Sequence, residues 1–351
     1  MKKHKICKIL LVILAIFLCV AFYELLGICV AYKKQPEVSN TTKKETKNGS
    51  WNECSENTER AVIIEKNPEA LLQRVRLIKN AKKEIILSTF AFQSDESGKL
   101  ILGALHDAAD RGVHIRLLVD GMESWIDMEG NPYFYGLSSH ENVEIKLYNK
   151  ANPLKPWKMM GRMHDKYLIA DGKRYILGGR NTYNYFLGDF PGHKNYDRDV
   201  LVVCDEPEKE NSVNQLLEYF ETIWEQEDSG YFHDNKKLAN RKSVKNAVLE
   251  LQNGYQKYFE ENKERICDTD YTDETFETEK IALVSNPIHT GSKEPVVWYQ
   301  LGELMKNAKN RVKIHTPYII CNDMMYNTWK EIAERVPDFS IMTNSVANNG
   351  N

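Results

Sequence analysis

The chain has 351 residues, 47 Lys and Arg against 50 Asp and Glu, a net charge of −3 and 42% hydrophobic residues. This globular composition excludes wholesale disorder, collagen and a multi-span membrane protein, and the length accommodates about two domains. The near-neutral balance supplies no general basic field for nucleic acid, and seven scattered cysteines do not make a disulfide scaffold.

The first 34 residues differ from the rest. Lys2, Lys3, Lys5 and Lys8 precede an apolar run over residues 9–32 that only Glu24 interrupts, and Lys33 and Lys34 close it. As a helix the run is long enough to cross about 30 Å of hydrocarbon. A cleaved signal peptide also starts with positive charge. Here the run is longer than a usual signal core and no clean small-x-small site follows it, which favours an uncleaved single-span anchor. The charged start argues for that end in the cytoplasm and the bulk of the chain outside. Residues 35–60 are polar and read as a linker.

From residue 61 onward apolar strand-like runs alternate with segments of helical spacing. Strands are expected over 61–64, 84–92, 113–119 and 143–148, with helices over 68–80, 97–111, 211–226 and 238–262 and Gly112 as a C-cap. Such alternation implies parallel βαβ units, and the nearly continuous apolarity of 84–92 implies a strand buried on both faces. Residues 265–280 are acidic and Thr-rich and read as a second linker. The pattern then restarts. Residues 81–90 align with 308–317, each with a short strand and a helix before and a helix and a strand after. A unit recurring in fixed order builds one pseudo-symmetric body. The second copy stops at 351, before the distance at which its counterpart of residue 164 falls, so a longer two-copy protein is expected.

The informative segment spans about residues 158–185. It carries His164-x-Lys166-x4-Asp171-x6-Gly178-Gly179-x-Asn181. Apolar runs on both sides of Asp171-Gly172 signal a β-hairpin. The two-residue period of a strand puts His164 and Lys166 on one face, the two glycines admit close backbone approach, and Asn181 falls near the start of a following helix. An ammonium and a carboxamide offer positive charge and N–H donors to phosphate oxygens, and an imidazole neutral near pH 7 can attack phosphorus. A bare His-x-Lys is more often ordinary strand; the full pattern is far more specific. No P-loop, GxGxxG or metal-ligand spacing occurs.

This pattern resembles the HKD motif of the phospholipase D superfamily, and the surrounding chain resembles bacterial cardiolipin synthases and phospholipase D-like proteins. Further likeness lies in Asp95-Glu96-Ser97-Gly98, Arg111-Gly112-Val113 and Tyr196-Asp197-Arg198-Asp199-Val200. The resemblance implies an α/β fold, a pseudo-two-fold body of mixed, largely parallel sheets flanked by helices. It implies a first domain over 61–264 and a partial second over 281–351. It implies His164 as the catalytic nucleophile forming a phosphohistidine, and Lys166, Asn181 and Gly179 at the substrate phosphate. Asp171 then supports the histidine or the motif's structure. Many relatives carry Ser where this chain has Gly179. It implies no metal and no other cofactor.

The family uses two such motifs, and this chain has one. His289 and His315 lack a Lys two residues on. A homodimer is the other way to complete such a site. The function expected is a membrane-anchored phospholipid phosphodiesterase or phosphatidyltransferase of the cardiolipin synthase or phospholipase D kind, with phosphatidylglycerol as substrate and no nucleic acid partner. A superfamily nuclease, or a catalytically incomplete binding module, are the alternatives. Tyr133, Phe134, Tyr135, Trp157, Tyr183, Tyr185 and Phe186 read as core packing or as a wall for lipid, and Lys150, Lys155, Lys158, Arg162 and Lys194 as solvated charge or anionic-lipid contacts.

Overall fold

A computed structural model of the chain describes residues 2–49, 59–204, 206, 211–233 and 235–345. In chain order the elements are α1 (Lys2–Tyr32), α2 (Asn40–Asn48), β1 (Glu59–Ile64), α3 (Asn67–Asn80), β2 (Glu84–Thr89), α4 (Glu96–Asp110), β3 (His114–Asp120), α5 (Glu123–Asp127), α6 (Pro132–Ser138), β4 (Val143–Tyr148), β5 (Tyr167–Ala170), β6 (Arg174–Gly178), β7 (Asp199–Cys204), α7 (Ser212–Trp224), β8 (Ser229–Tyr231), α8 (Lys242–Glu261), α9 (Lys263–Cys267), β9 (Phe276–Glu277), α10 (Val296–Lys306), β10 (Arg311–His315), α11 (Asp323–Arg335) and β11 (Asp338–Met342). Two compact units result. One comprises Met1–Lys33, Cys54–Leu283 and Ile288–Gly291; the other comprises Lys34–Glu53, Val284–Pro287 and Ser292–Asn351.

The larger unit is built on a nine-stranded mixed sheet in the order β8-β4-β3-β2-β5-β6-β7-β1-β9. Side chains on one face pack under α3, α4, α6 and α8, and those on the other pack under α7. The alternation shows in β5: Leu168 and Ala170 face the first layer, Tyr167 and Ile169 the second. Burying a Leu or Ile of such a core contributes about 1.5–3 kcal/mol. Ile85 and Ile86 of β2 and Leu117 and Leu118 of β3 have 0–1% of their surface exposed, so these adjacent strands are sealed on both faces.

The expectation of a largely parallel sheet is corrected. Only β2–β3 and β3–β4 pair in parallel, joined by the crossover helices α4 and α5–α6. The other six pairings are antiparallel, because the hairpin β5–β6 and its return strand β7 insert beside β2. The hairpin itself forms as its sequence suggests. Asp171 and Gly172 have φ of 55° and 62°, and Lys173 N donates to Ala170 O at 3.1 Å, the positive-φ turn that Asp-Gly favours. Gly112, with φ of 88°, ends α4 as expected.

Two stretches read as linkers are structured. Within 35–60, Asn40–Asn48 is a helix whose N-cap Ser39 accepts from Thr42 N at 3.1 Å. Residues 50–58, including Cys54, lie outside the described residues. The acidic stretch 265–280 is packed down by cations. Arg76 donates to Asp268 O (2.8 Å), Asp270 O (2.7 Å) and Glu274 Oε1 (2.9 Å) and lies 3.9 Å over the Tyr271 ring. Arg60 donates to Thr275 O at 2.7 Å, and β9 adds to β1.

In the smaller unit, α10, β10, α11 and the parallel partner β11 repeat the order of α3, β2, α4 and β3. The short strand expected ahead of the second copy is not formed, since residues 281–284 carry no strand.

Asp171 joins the hairpin turn to the chain entering β2. Its Oδ1 accepts from Lys82 N (3.1 Å), Lys83 N (2.7 Å) and Glu84 N (3.0 Å), and Oδ2 from Lys82 N (2.8 Å). Replacing it by Ala strands three backbone donors at a partly buried turn. We expect Asp171→Ala to lower stability by about 1–3 kcal/mol, read from the urea midpoint at unchanged m-value, with Asp171→Asn recovering part of the loss.

Candidate active site

The ends of β1, β2, β3, β4 and β6 and the starts of β5 and β7 share one edge of the sheet, as the pairing directions require. His164 and Lys166 arrive at that edge in the extended segment just ahead of β5, and Phe90 stands there directly after β2. The His164 and Phe90 rings are 4.5 Å apart, and Lys166 Nζ lies 5.3 Å from the centre of the same phenyl ring. Lys166 Nζ also donates to His164 O at 2.5 Å. The two side chains thus converge on one aromatic platform. His164 is open to solvent, whereas Lys166 is buried to 6% exposure.

The electrostatics follow from that placement. Desolvation on the Phe90 side and the neighbouring ammonium push the His164 imidazole down to about 4. It is therefore neutral, with a free lone pair, at pH 7. Burial pushes Lys166 down to about 8, against the pull of Asp165, Asp197 and Asp120. Tyr219 Oη donates to Asp165 Oδ2 at 2.7 Å, anchoring the residue between the two.

Asn181 is also brought to this edge, 8% exposed. Its Oδ1 accepts from Ala91 N at 3.3 Å, and it hydrogen-bonds Tyr183, whose hydroxyl pKa burial raises. No helix follows it. The chain instead bridges Thr182 to Phe92 and turns back. Gly178 and Gly179 have a steric reason to be glycines. A Cβ at 178 would run into Asp199 Oδ1 and Arg198 O, and one at 179 into the Asp197 carboxylate. Asp171 is not brought together with His164. It sits at the far end of β5, on the opposite sheet edge, so it supports the motif's backbone and does not touch the imidazole.

Several groups that build this edge have roles that the sequence pattern does not assign. Asp120, 0% exposed at the end of β3, accepts from Arg162 Nε (2.9 Å), Met163 N (3.0 Å) and Met122 N (3.0 Å). It fixes the backbone immediately ahead of His164, and it uses Arg162, one of the residues considered for lipid contact. Asp199, whose side chain is fully buried, meets Arg74 at 2.9 Å and Arg180 at 3.2 Å. Arg180 also donates to Ile64 O, Glu65 O and Asp197 O. Strand-to-strand placement alone brings these together, though Asp-Gly after β3 and Asp-Arg-Asp before β7 mark their positions.

The other candidates divide. Phe134 and Tyr135 are core, with Phe134 edge-on to Phe92 at 5.1 Å. Lys158 pairs with Asp228 at 2.6 Å, Lys150 donates to Tyr231 O at 2.6 Å, and Lys194 donates to Asn184 O at 2.7 Å. Trp157 is 45% exposed. His289 accepts from Gly291 N, and His315 ends β10 in the smaller unit. Among the described residues no group of three or more His, Cys, Asp or Glu is placed to hold a metal ion.

Comparison with known proteins identifies the fold and the motif's setting. The family described as cardiolipin synthase, PLD-like domain, matches residues 74–224. An uncharacterized protein of Helicobacter pylori is 28% identical over 82% of this chain, and the chain spans 59% of that protein's length. Cardiolipin synthase C of Escherichia coli is 29% identical over 45% of this chain and 34% of its own. Among solved structures, phosphatidylserine synthase of Haemophilus influenzae superposes with a TM-score of 0.56 at 15% identity, covering 87% of this chain and 66% of its own. That last likeness is one of fold.

The ammonium's share of the imidazole shift is separable. In Lys166→Met only burial remains to hold His164 down. An NMR titration of the His164 ring protons should move from near 4 in the wild type upward toward 6.5 in the variant. An unmoved midpoint would mean that the two groups are not in electrostatic contact.

Proposed function

We propose that the chain, whose residues 74–224 match the PLD-like domain family, is a membrane-anchored phosphodiesterase or phosphatidyltransferase of the phospholipase D superfamily that holds its substrate's phosphatidyl group on His164. The observation that carries this reading is the convergence of a neutral imidazole and a buried ammonium on Phe90, open to solvent on the histidine side. The likeness to cardiolipin synthase C supports a phospholipid as substrate, and phosphatidylglycerol is the one we favour.

In this mechanism a neutral His164 nitrogen attacks phosphorus, an N–P bond forms and the bond to the leaving alcohol breaks. Negative charge builds on the non-bridging oxygens, to which Lys166 and the Asn181 carboxamide would donate; such fixed donors contribute a few kcal/mol each, about 10²–10³-fold in rate. The backbone at Gly179 lines the same approach. The departing alkoxide needs a proton that an already neutral His164 cannot give, so a second acid must face it, from another segment or a second copy. An acceptor alcohol then attacks the phosphohistidine, its proton passing to the conjugate base left by that second acid, and the N–P bond breaks to free the imidazole. A second phosphatidylglycerol as acceptor gives cardiolipin, and water gives phosphatidic acid.

Helix α1 supports the membrane setting. Residues Ile6–Tyr32 have a mean hydropathy of 2.9, enough by length and composition to cross a bilayer. With the lysine-rich start in the cytoplasm, the catalytic unit lies outside.

The direct test is turnover of phosphatidylglycerol vesicles by the full chain, quenched at alkaline pH, where a phosphohistidine survives. His164→Ala should remove the phosphorylated peptide and lower turnover by about 10³-fold or more. Lys166→Met should cost about 10²–10³-fold while leaving the fold intact. Substrate consumption in His164→Ala at the wild-type rate would reject the assignment. Because the reaction needs neutral His164 and charged Lys166, the rate should fall as pH drops through about 4 and again as it rises past about 8.

A further inference from the structure

The last turns of α1 do not swing free of the larger unit. Gly27 lies so close to the 3₁₀ turn Pro156–Lys158 that an added Cβ would sit 2.5 Å from Pro156 Cγ. Tyr23 Oη donates to Leu154 O at 3.0 Å. The loop that receives the helix is itself held from below. Asn149 Nδ2 donates to Lys158 O (2.7 Å) and Gly161 O (2.9 Å), and Lys158 pairs with Asp228. This loop runs directly into Arg162, Met163 and His164.

Large apolar side chains stand outward beside it. Leu154 is 78% exposed, Met160 60% and Trp157 45%. A second group lies on α5, where Trp125 is 70% and Ile126 69% exposed. Helix α5 starts just after Asp120, the carboxylate that grips Arg162 and Met163, so both groups border the catalytic edge. On α5 the faces divide. Glu123 and Asp127, one helical turn apart, feel Arg162 and Gln93 respectively, while the Trp125–Ile126 side points to solvent. Tryptophan on a soluble surface with no partner is costly; at a bilayer interface its amphipathic ring is favoured.

We propose that Trp125 and Ile126 of α5, with Leu154, Trp157 and Met160 of the loop that clasps α1, form an apolar rim that dips into the interfacial layer of the bilayer and presents the catalytic edge to lipid headgroups. This rests on the reading that α1 enters a membrane. The occupant follows from continuity. The 17 residues Ile6–Phe22 rise about 25 Å as a helix, nearly a hydrocarbon thickness, so the turns from Tyr23 onward and the loop they touch fall at the boundary. Lys155, exposed in the same loop, faces the charge of an anionic leaflet.

The test uses the full chain reconstituted in vesicles of equal parts phosphatidylcholine and phosphatidylglycerol, the phosphatidylcholine carrying bromine high on its acyl chains as a contact quencher. Tryptophan emission should be quenched in the wild type, and most of that quenching should disappear in Trp125→Phe/Trp157→Phe. Equal fractional quenching in the double variant, or none in the wild type, overturns the proposal. So does a concentration-dependent self-association in detergent that Trp125→Ser/Ile126→Ser abolishes without any vesicle quenching, which would assign the rim to a second copy. In a parallel assay Trp125→Ser/Ile126→Ser should slow turnover of vesicle phosphatidylglycerol several-fold and leave a soluble short-chain phosphodiester unaffected; equal slowing of both overturns it. If the wild type consumes neither substrate, the phosphodiesterase reading fails by itself, and the quenching result still decides for or against the rim.

Discussion

Everything at the sheet edge that carries His164 hangs on a carboxylate that water cannot reach. Asp120 ends β3 with no exposed surface and spends its two oxygens on Arg162, the Met163 N–H and its own loop at Met122. Burying such a charge is costly unless it is paired and saturated with donors. Here the pairing does positional work. It clamps the backbone one residue ahead of His164 to the neighbouring parallel strands, so the imidazole's location is fixed by the rigid middle of the sheet and not by the mobility of a loop. The Asp199 carboxylate between Arg74 and Arg180 does the same on the other side, holding the glycine pair and Asn181 against the end of β1. The reactive groups stand between two buried ionic anchors.

That arrangement explains the unusual character of the pair itself. Burial makes protonation harder for both the imidazole and the ammonium held against one phenyl ring, and the ammonium adds to the imidazole's cost. The chain accepts this local unfavourable charge because the anchors leave neither group room to move apart. The outcome is an imidazole with a free lone pair beside a cation that still carries its proton at neutral pH, which is the combination that the proposed attack on an anionic phosphodiester requires.

How much of this was visible in the sequence depends on how local each feature is. The hairpin was legible because Asp171-Gly172 sets its own turn, and the His164–Lys166 pairing was legible because it spans two residues. The roles of Asp120, Phe90, Asp197, Asp199 and Arg180 were not, since each meets its partner only after distant strands come together at one edge. The motif's spacing alone did not reveal which edge Asp171 occupies: the full length of β5 lies between it and His164 and carries it to the far one. The sheet's direction was misjudged for a similar reason. Alternating strands and helices up to β4 imply parallel pairing, but nothing in that run announces that a hairpin and its return strand will dock beside β2 from elsewhere in the chain. Acidity made 265–280 look solvated; the arginines that neutralise it lie about 200 residues earlier.

The glycine pair carries a consequence for how this lineage can vary. The space a side chain at 179 would fill is already taken by the carboxylate of Asp197. A serine there, as the family resemblance leads one to expect, and an aspartate at 197 in its present pose are mutually exclusive occupants of one small volume. The two positions are therefore coupled as alternatives: a hydroxyl can return to the first only when the second retreats or shortens, so substitutions that are neutral together are harmful singly, and an aligned set of homologues should show the two sites changing in step.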